Sequence, residues 1–301
     1  MNLFLTPKAL VRRHVLAPVA RIAGSPLPSP LAGRVVLVTG ASSGVGEASA
    51  KAIAACGATV LCVARRQGEL DRVVGEIASA GGSAYGYACD LTDAAATEAL
   101  VQGVLGEHDH VDMLVNNAGR SIRRSLEFSY DRMHDFERTM AINYFGPVRL
   151  ILGVLPRMRE RGFGHVVNIV TWGVQMKAPK FTAYIASKTA LDSFSRIAGR
   201  ETWFDNVTFT NLRLDLVRTD MIVATDTYRK VPAKSPEQAA ALVVRALEDR
   251  PVTISTVAGR VGEVLNLVAP RLSDAAMGLM AARMPDSRAA RAHVEGDSRA
   301  G

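Results

Sequence analysis

Tyr184 and Lys188 stand four residues apart in Tyr184-Ile185-Ala186-Ser187-Lys188. On a helix, positions i and i+4 share a face. An ammonium group beside a phenol favours the phenolate and lowers the phenol pKa from its free value of about 10. A tyrosine tuned in this way serves as a general acid or base near neutral pH. Far upstream lies a glycine-rich turn, Thr39-Gly40-Ala41-Ser42-Ser43-Gly44-Val45-Gly46, preceded by the apolar run 34–39 and followed by a helical pattern. Gly40 lets the chain turn, Gly44 lets backbone approach a pyrophosphate, and Gly46 lets helix and strand pack closely. With Ser42, Ser43 and Val45 they make a turn whose helix N-terminus faces the phosphates. A turn that binds phosphate and a pair that moves a proton imply a nicotinamide-dependent oxidoreductase.

The second strand candidate bears on which dinucleotide. An NAD site usually places Asp or Glu about 20 residues past the glycines, on the ribose 2′-hydroxyl. Here the strand ends in Ala64-Arg65-Arg66. Two guanidiniums suit a 2′-phosphate, so the expected cofactor is NADP(H). The plainer alternative is that Arg66 is only solvated at the strand end.

The elements that must position these groups can be read from hydrophobic pattern. Strand candidates are 34–39, 58–64, 83–88, 112–115, 165–170, 207–214 and 252–256. They are mostly continuous apolar runs, as expected of parallel strands covered on both faces. Helix candidates lie between them at 44–56, 67–80, 93–107, 130–161, 181–203 and 235–249. The last opens with Ser235-Pro236-Glu237-Gln238, a capping box with proline in the first turn. This alternation predicts an α/β fold, a Rossmann-type doubly wound parallel sheet, in one domain over 31–257. Residues 24–33, with three prolines and two glycines, read as a linker. Residues 258–284 read as one or two apolar helices broken at Pro270, either packed on the core or forming a lid or interface. The charged tail 285–301 is expected to be disordered.

Bulk composition narrows the class. The chain of 301 residues is 48% hydrophobic, enough for one large domain with a core. Its 36 basic and 29 acidic residues leave a net +7. The bases are scattered and no basic-aromatic module is present, so no nucleic-acid partner is expected. Cys56, Cys62 and Cys89 form no Cys-x-x-Cys pair, which argues against a metal site and fits a cytoplasmic location. No apolar run reaches the roughly 18 residues of a membrane span. Residues 1–30 mix apolar residues with Lys8, Arg12, Arg13 and Arg21 and no acid. They are a candidate for peripheral membrane contact as an amphipathic helix, the alternatives being a helix packed on the domain's own surface or a frayed terminus.

Over roughly 31–257 the sequence resembles the short-chain dehydrogenase/reductase superfamily. The landmarks occur in order: the glycine turn, Cys89-Asp90-Leu91, Asn116-Asn117-Ala118-Gly119, Asn143, and Tyr184-x-x-x-Lys188. The resemblance implies that Asp90 and Leu91 flank the adenine, and that Asn117, Ala118 and Gly119 border the adenosine ribose. It implies that Lys188 also holds the nicotinamide ribose and that Asn143 positions a water in a proton relay. It further implies a homodimer or homotetramer built on the helices at 130–161 and 181–203. Two positions depart from the pattern. Thr171 stands where the family has a serine that orients the substrate oxygen; it keeps a hydroxyl but is stiffer. Leu214-Asp215-Leu216-Val217-Arg218-Thr219 replaces a Pro-Gly turn, keeping Val217 and Thr219 to meet the nicotinamide carboxamide and leaving Asp215 either near that ring or in solvent.

The stretches 117–125, 130–132 and 259–285 are similar to the reductase domain of bacterial fatty acyl-CoA and fatty aldehyde reductases. This implies reduction of a hydrophobic or long-chain aldehyde or acyl group, or the reverse oxidation. Arg123 and Arg124 would then face an acyl carrier's phosphates or be ordinary surface. The rival from another class is a divergent NADP-binding regulator or scaffold with little catalysis, motivated by Thr171 and the missing Pro-Gly.

Overall fold

The computed structural model describes residues 29–219 and 231–286, so most of the basic N-terminal segment 1–30 lies outside the described residues. Seven strands form one sheet: β1 (Val35–Thr39), β2 (Thr59–Ala64), β3 (Ser83–Ala88), β4 (Met113–Asn116), β5 (Gly164–Thr171), β6 (Val207–Leu214) and β7 (Thr253–Ser255). Their order is β3-β2-β1-β4-β5-β6-β7 and every pairing is parallel. Between them run α1 (Gly44–Ala55), α2 (Gln67–Ser79), α3 (Ala94–His108), α4 (Met133–Met140), α5 (Gly146–Glu160), α6 (Gly173–Met176), α7 (Thr182–Glu201) and α8 (Pro236–Asp249). After β7 come α9 (Val257–Val268) and α10 (Pro270–Arg283). The expected doubly wound sheet is present, with strand ends shifted by a residue or so.

Alternation along each strand sorts side chains to two faces. Val36 and Val38 point into a core with Ile53, Leu70, Val73 and Val243 from α1, α2 and α8. Leu37 points the other way, toward Leu100, Val104, Leu150 and Val154 from α3 and α5. Burying both faces removes nearly all the strand surface from water. That explains why the runs read as continuously apolar rather than alternating.

The strand order reverses between β1 and β4, the strands leaving in opposite directions from the sheet's middle. In sheets of this kind ligands bind outside the carboxyl ends of the strands at that point. Three expectations need correction. The linker over 24–33 is not one at its C-terminal end: Leu31 is fully buried, Ser29 Oγ donates to Glu248 at 2.8 Å and the Gly33 N–H to the Gly57 carbonyl at 2.9 Å. Proline and glycine there shape a packed turn. The single helix over 130–161 starts later, at Met133, and carries a π-helical turn, Ala141–Phe145, between α4 and α5. The start of the tail expected over 285–301 is held: Pro285 and Asp286 hydrogen-bond to the domain.

Candidate active site

A cleft of about 1740 Å³ opens at the carboxyl ends of the strands. Gly40 and Gly44 take φ of +67° and +55°, which glycine alone adopts readily. A Cβ on Gly46 would lie 2.0 Å from the Gly40 carbonyl oxygen, so only glycine lets α1 approach β1 this closely. Ser43 precedes α1 and makes no side-chain cap. The first N–H groups of that helix are therefore left for a ligand, and an anion is what helix N-termini favour.

Thr39 ties this turn to the next loop. Its hydroxyl accepts from the Asn117 and Ala118 N–H groups at 2.9 and 3.0 Å and donates to the Val115 carbonyl at 3.3 Å. The Asn117 side-chain amide donates to the Thr39 carbonyl at 3.0 Å. Sequence reasoning missed Thr39, which reads as one more β-branched strand residue.

On the opposite side of the cleft β5 ends at Thr171 and α7 carries Tyr184 and Lys188. The Lys188 ammonium is buried and donates to the Ile169 carbonyl at 2.8 Å. Burial lowers its pKa from 10.5 to about 8. A Cβ on Gly119 would sit 3.3 Å from that nitrogen and 2.8 Å from Asn143 Oδ1, so Gly119 leaves the ammonium its room. Tyr184 is half-buried, its ring edge-on to Phe181 at 6.4 Å between centroids. The Thr171 hydroxyl accepts from the Gly173 N–H at 3.1 Å, which leaves its own proton for another acceptor.

Asn143 is fixed by three hydrogen bonds of its side-chain amide. It sits in the π-helical turn, fully buried, outside the cleft lining. Its Oδ1 accepts from the Arg120 N–H at 2.9 Å, and its Nδ2 donates to the Arg120 carbonyl at 2.8 Å and to Ser187 Oγ at 3.0 Å. Ser187 Oγ donates to the Tyr184 carbonyl at 2.7 Å. The side chain thus locks the 117–120 loop to the Tyr184 turn of α7. Ser187, buried between tyrosine and lysine, is a second residue that sequence reasoning missed.

The other expected residues line the same cleft, Gly46 excepted because it is packed behind the turn. Ser42, Val45, Leu91, Ala118, Val217 and Thr219 are on its wall. Arg65 and Arg66 are exposed at the end of β2. Asp90 accepts from the Thr92 N–H at 3.0 Å and Thr92 Oγ1 at 2.8 Å, which with Arg65 outweigh burial and hold its carboxyl low. Asp215 lies on the cleft wall, paired with Lys234. Lys234 Nζ donates to it at 2.7 Å, while the Arg218 N–H donates to the Lys234 carbonyl and the Lys234 N–H to the Leu216 carbonyl. This clamp joins both ends of the 216–234 segment where the family has Pro-Gly. Arg123 and Arg124 line the cleft and are engaged within the protein. Arg123 donates to the Pro285 carbonyl at 2.7 Å and Arg124 pairs with the buried Asp135 at 3.2 Å.

The residues fit a dinucleotide: an open helix N-terminus in a glycine cradle, two guanidiniums, and a buried cation at the far end. No cluster of metal-ligating side chains occurs among the described residues.

The buried ammonium has a measurable signature. Below pH 8 lysine is charged in both the folded and unfolded chain. Between about 8 and 10.5 the folded protein has released a proton that the unfolded chain keeps, so stability rises with pH in that window. Replacing Lys188 by Met removes this slope. Denaturant unfolding of the wild type should therefore gain on Lys188→Met by up to about 1.4 kcal/mol per pH unit above pH 8. A pH-independent difference would show that the ammonium is not buried.

Comparison with known proteins agrees with this geometry. Residues 34–229 match the short chain dehydrogenase family. A fatty acyl-CoA reductase of Acinetobacter baylyi is 48% identical over 258 residues, covering 86% of this chain and 88% of that protein. A solved short-chain dehydrogenase from Streptomyces avermitilis superposes with a TM-score of 0.70 at 30% identity, over 83% of this chain and 98% of its own. A metagenomic short-chain oxidoreductase in complex with NADP gives 0.65 at 30% identity, over 75% and 97%. With well over half of the sequence inside the family match and a relative this similar along most of its length, the protein belongs to the short-chain dehydrogenase/reductase family and is an oxidoreductase of CH–OH and C=O groups.

Proposed function

We propose that the protein is an NADP(H)-dependent reductase of hydrophobic, long-chain aldehyde or acyl compounds, able to run in reverse as an alcohol dehydrogenase. The observation that carries this reading is the buried Lys188 ammonium, one helical turn from Tyr184, at the far end of a cleft that begins in a phosphate-binding turn. The bound dinucleotide supplies hydride exchange at the carbonyl carbon. Tyr184 holds and delivers the proton at the substrate oxygen. Lys188 lowers the cost of the phenolate left behind. The Thr171 hydroxyl donates to the same oxygen, so charge developing there meets two fixed donors. Arg65 and Arg66 support the NADP(H) assignment by offering guanidiniums to a 2′-phosphate, as does the NADP complex of the structural relative. The apolar substrate class is supported by the fatty acyl-CoA reductase relative and by Met280 and Met284 on the cleft wall.

Tyr184→Phe should lower kcat roughly a hundred- to ten-thousand-fold with aldehydes of graded chain length, while NADPH binding by fluorescence is unchanged. Turnover comparable to wild type would remove the tyrosine from the reaction. A wild type that binds NADPH but consumes none across the series would return the regulator reading.

Arg65→Ala combined with Arg66→Ala should raise the KM for NADPH roughly tenfold and leave that for NADH unchanged, the cost of charge-assisted hydrogen bonds at an exposed site. Equal effects on the two cofactors would count against a 2′-phosphate site.

Self-association belongs to the same reading. Phe145, Leu152 and Ile197 are large, apolar and exposed on or beside α5 and α7. Pairing those helices across a two-fold axis would cover them. Sedimentation equilibrium should give a dimer or tetramer, and Ile197→Lys should shift it toward monomer; a wild-type monomer at micromolar concentration would end this part of the proposal.

A further inference from the structure

α10 is held in an unusual way. Of its 14 residues one, Ser273, is buried, and Leu272 and Leu279 are exposed. A surface helix normally anchors through an apolar stripe. This one is attached by polar contacts at its two ends. At the first, Ser273 Oγ donates to Asn266 Oδ1 of α9 at 2.5 Å. Just beyond the second, three groups from the loops flanking the cleft grip residues 284–286. Lys180 Nζ donates to the Met284 carbonyl at 2.6 Å and to Asp286 Oδ2 at 2.7 Å. Arg123 Nη2 donates to the Pro285 carbonyl at 2.7 Å. The Ser125 N–H donates to Asp286 Oδ1 at 3.0 Å. The Lys180 and Asp286 side chains are only 13% and 10% exposed, so the pair is shielded from the screening that weakens surface ion pairs.

Lys180 is placed for this at a cost. Its φ is +66°, a conformation that L residues other than Asn and Asp seldom take. Its carbonyl accepts from the Arg124 N–H at 2.8 Å, so the same residue joins the 120–125 loop to the entry of α7. Phe181, next in sequence, packs edge-on to Tyr184. Strain of this sort tends to be kept where it has a use. The consequence of the grip is visible on the cleft wall, where Met280 and Met284 of this arm line the same cleft as Tyr184. Methionine is the residue that best follows a flexible alkyl chain. The cleft, at about 1740 Å³, also exceeds the roughly 300–1,000 Å³ of an ordinary ligand pocket, leaving room for an elongated second ligand beside a dinucleotide.

We propose that Lys180 is a specificity-determining positioning residue: by latching Asp286 and the Met284 carbonyl it fixes Met280 and Met284 as the wall that buries the distal part of an extended apolar substrate. This rests on the reading of the cleft as a reductase site for long apolar carbonyl compounds. The latch touches neither the reacting oxygen nor the dinucleotide turn. Its loss therefore acts on chain-length preference and leaves the chemistry intact.

The test compares butanal with dodecanal in the full-length wild type, Lys180→Gly, Lys180→Arg and Asp286→Asn. Glycine takes φ of +66° more readily than lysine, so Lys180→Gly keeps the backbone while removing the grip. For Lys180→Gly and Asp286→Asn the KM for dodecanal should rise about tenfold, nearly the effect of exposing two buried methylenes, with kcat and both butanal parameters within twofold of wild type. Lys180→Arg should restore most of the dodecanal KM. An unchanged dodecanal KM, or equal losses for both aldehydes, would overturn the latch while leaving the proposed activity standing. Should the wild type reduce neither aldehyde, the proposed activity fails, and calorimetric binding of dodecan-1-ol decides the latch separately. Weaker binding by Lys180→Gly supports it; equal binding, or none by the wild type, ends it.

Discussion

A cation shut away from water is the interaction on which the site depends. An unpaired ammonium in a low-dielectric interior costs several kcal/mol, and proteins usually avoid it by pairing or by releasing the proton. Among the described residues Lys188 is hydrogen-bonded to one carbonyl, that of Ile169, and to no carboxylate. Burial accordingly pulls its pKa toward neutrality. In the proposed reaction the lysine would meet two electron-rich neighbours, a phenolate and a ligand's hydroxyl oxygens, which would repay the desolvation. Much of the surrounding architecture keeps that position open and fixed. Gly119 provides the space, the π-helical turn carries Asn143 to the Arg120 backbone, and Ser187 links Asn143 to the Tyr184 carbonyl. π-Turns within helices are uncommon and often lie at functional sites, as this one does.

The other half of the cleft solves a different problem, holding loops in place through side-chain hydrogen bonds and an ion pair. Thr39 at the end of β1 fixes the 117–118 backbone with one hydroxyl, using its donor and both acceptor sites. Asp215 and Lys234 fix the segment that departs from the family's Pro-Gly. A proline-glycine pair sets loop shape through the backbone, whereas an ion pair sets it through side chains. Here the loop base beside Val217 and Thr219 is closed by that ion pair and by backbone hydrogen bonds between 216–218 and Lys234.

What the sequence disclosed follows from how local the signal was. The strands were legible because burial on both faces leaves unbroken apolar runs, and α8 because its capping box is contained in four residues. The site residues with fixed spacing, such as Tyr184 and Lys188, came together as expected because one helix carries both. Contacts between distant segments were not legible. Nothing in Arg123, Lys180 or Asp286 alone announces that they meet, and a string of arginines reads as surface until the fold brings a carbonyl or Asp135 to each. The linker reading failed at 29–33 because composition reports chain flexibility, not what the turn packs against, and Leu31 packs into the core.

α9 explains why the C-terminal arm needs a latch at all. Its inward face is Gly259 and Gly262, where an added Cβ would lie 2.3 Å from Gln175 Oε1 and 2.1 Å from the Met176 sulfur. The outward face is Val257, Val261, Val264 and Val268, the reverse of the usual amphipathic arrangement. Glycines bring α9 close to α6 but bury little apolar surface, so the hydrophobic contribution to its attachment is small. Gln175 compensates with polar contacts, donating to Glu263 at 2.7 Å and accepting from Asn266 at 2.6 Å through its backbone carbonyl. α10 continues from a helix already held by hydrogen bonds, and its far end is held the same way. Such contacts are directional and individually modest, worth about 1 kcal/mol each in net terms. An arm attached by a few of them can loosen while the sheet and its two cores stay intact. Wall and core therefore have separate stabilities, as the proposed activity on a bulky apolar substrate would require.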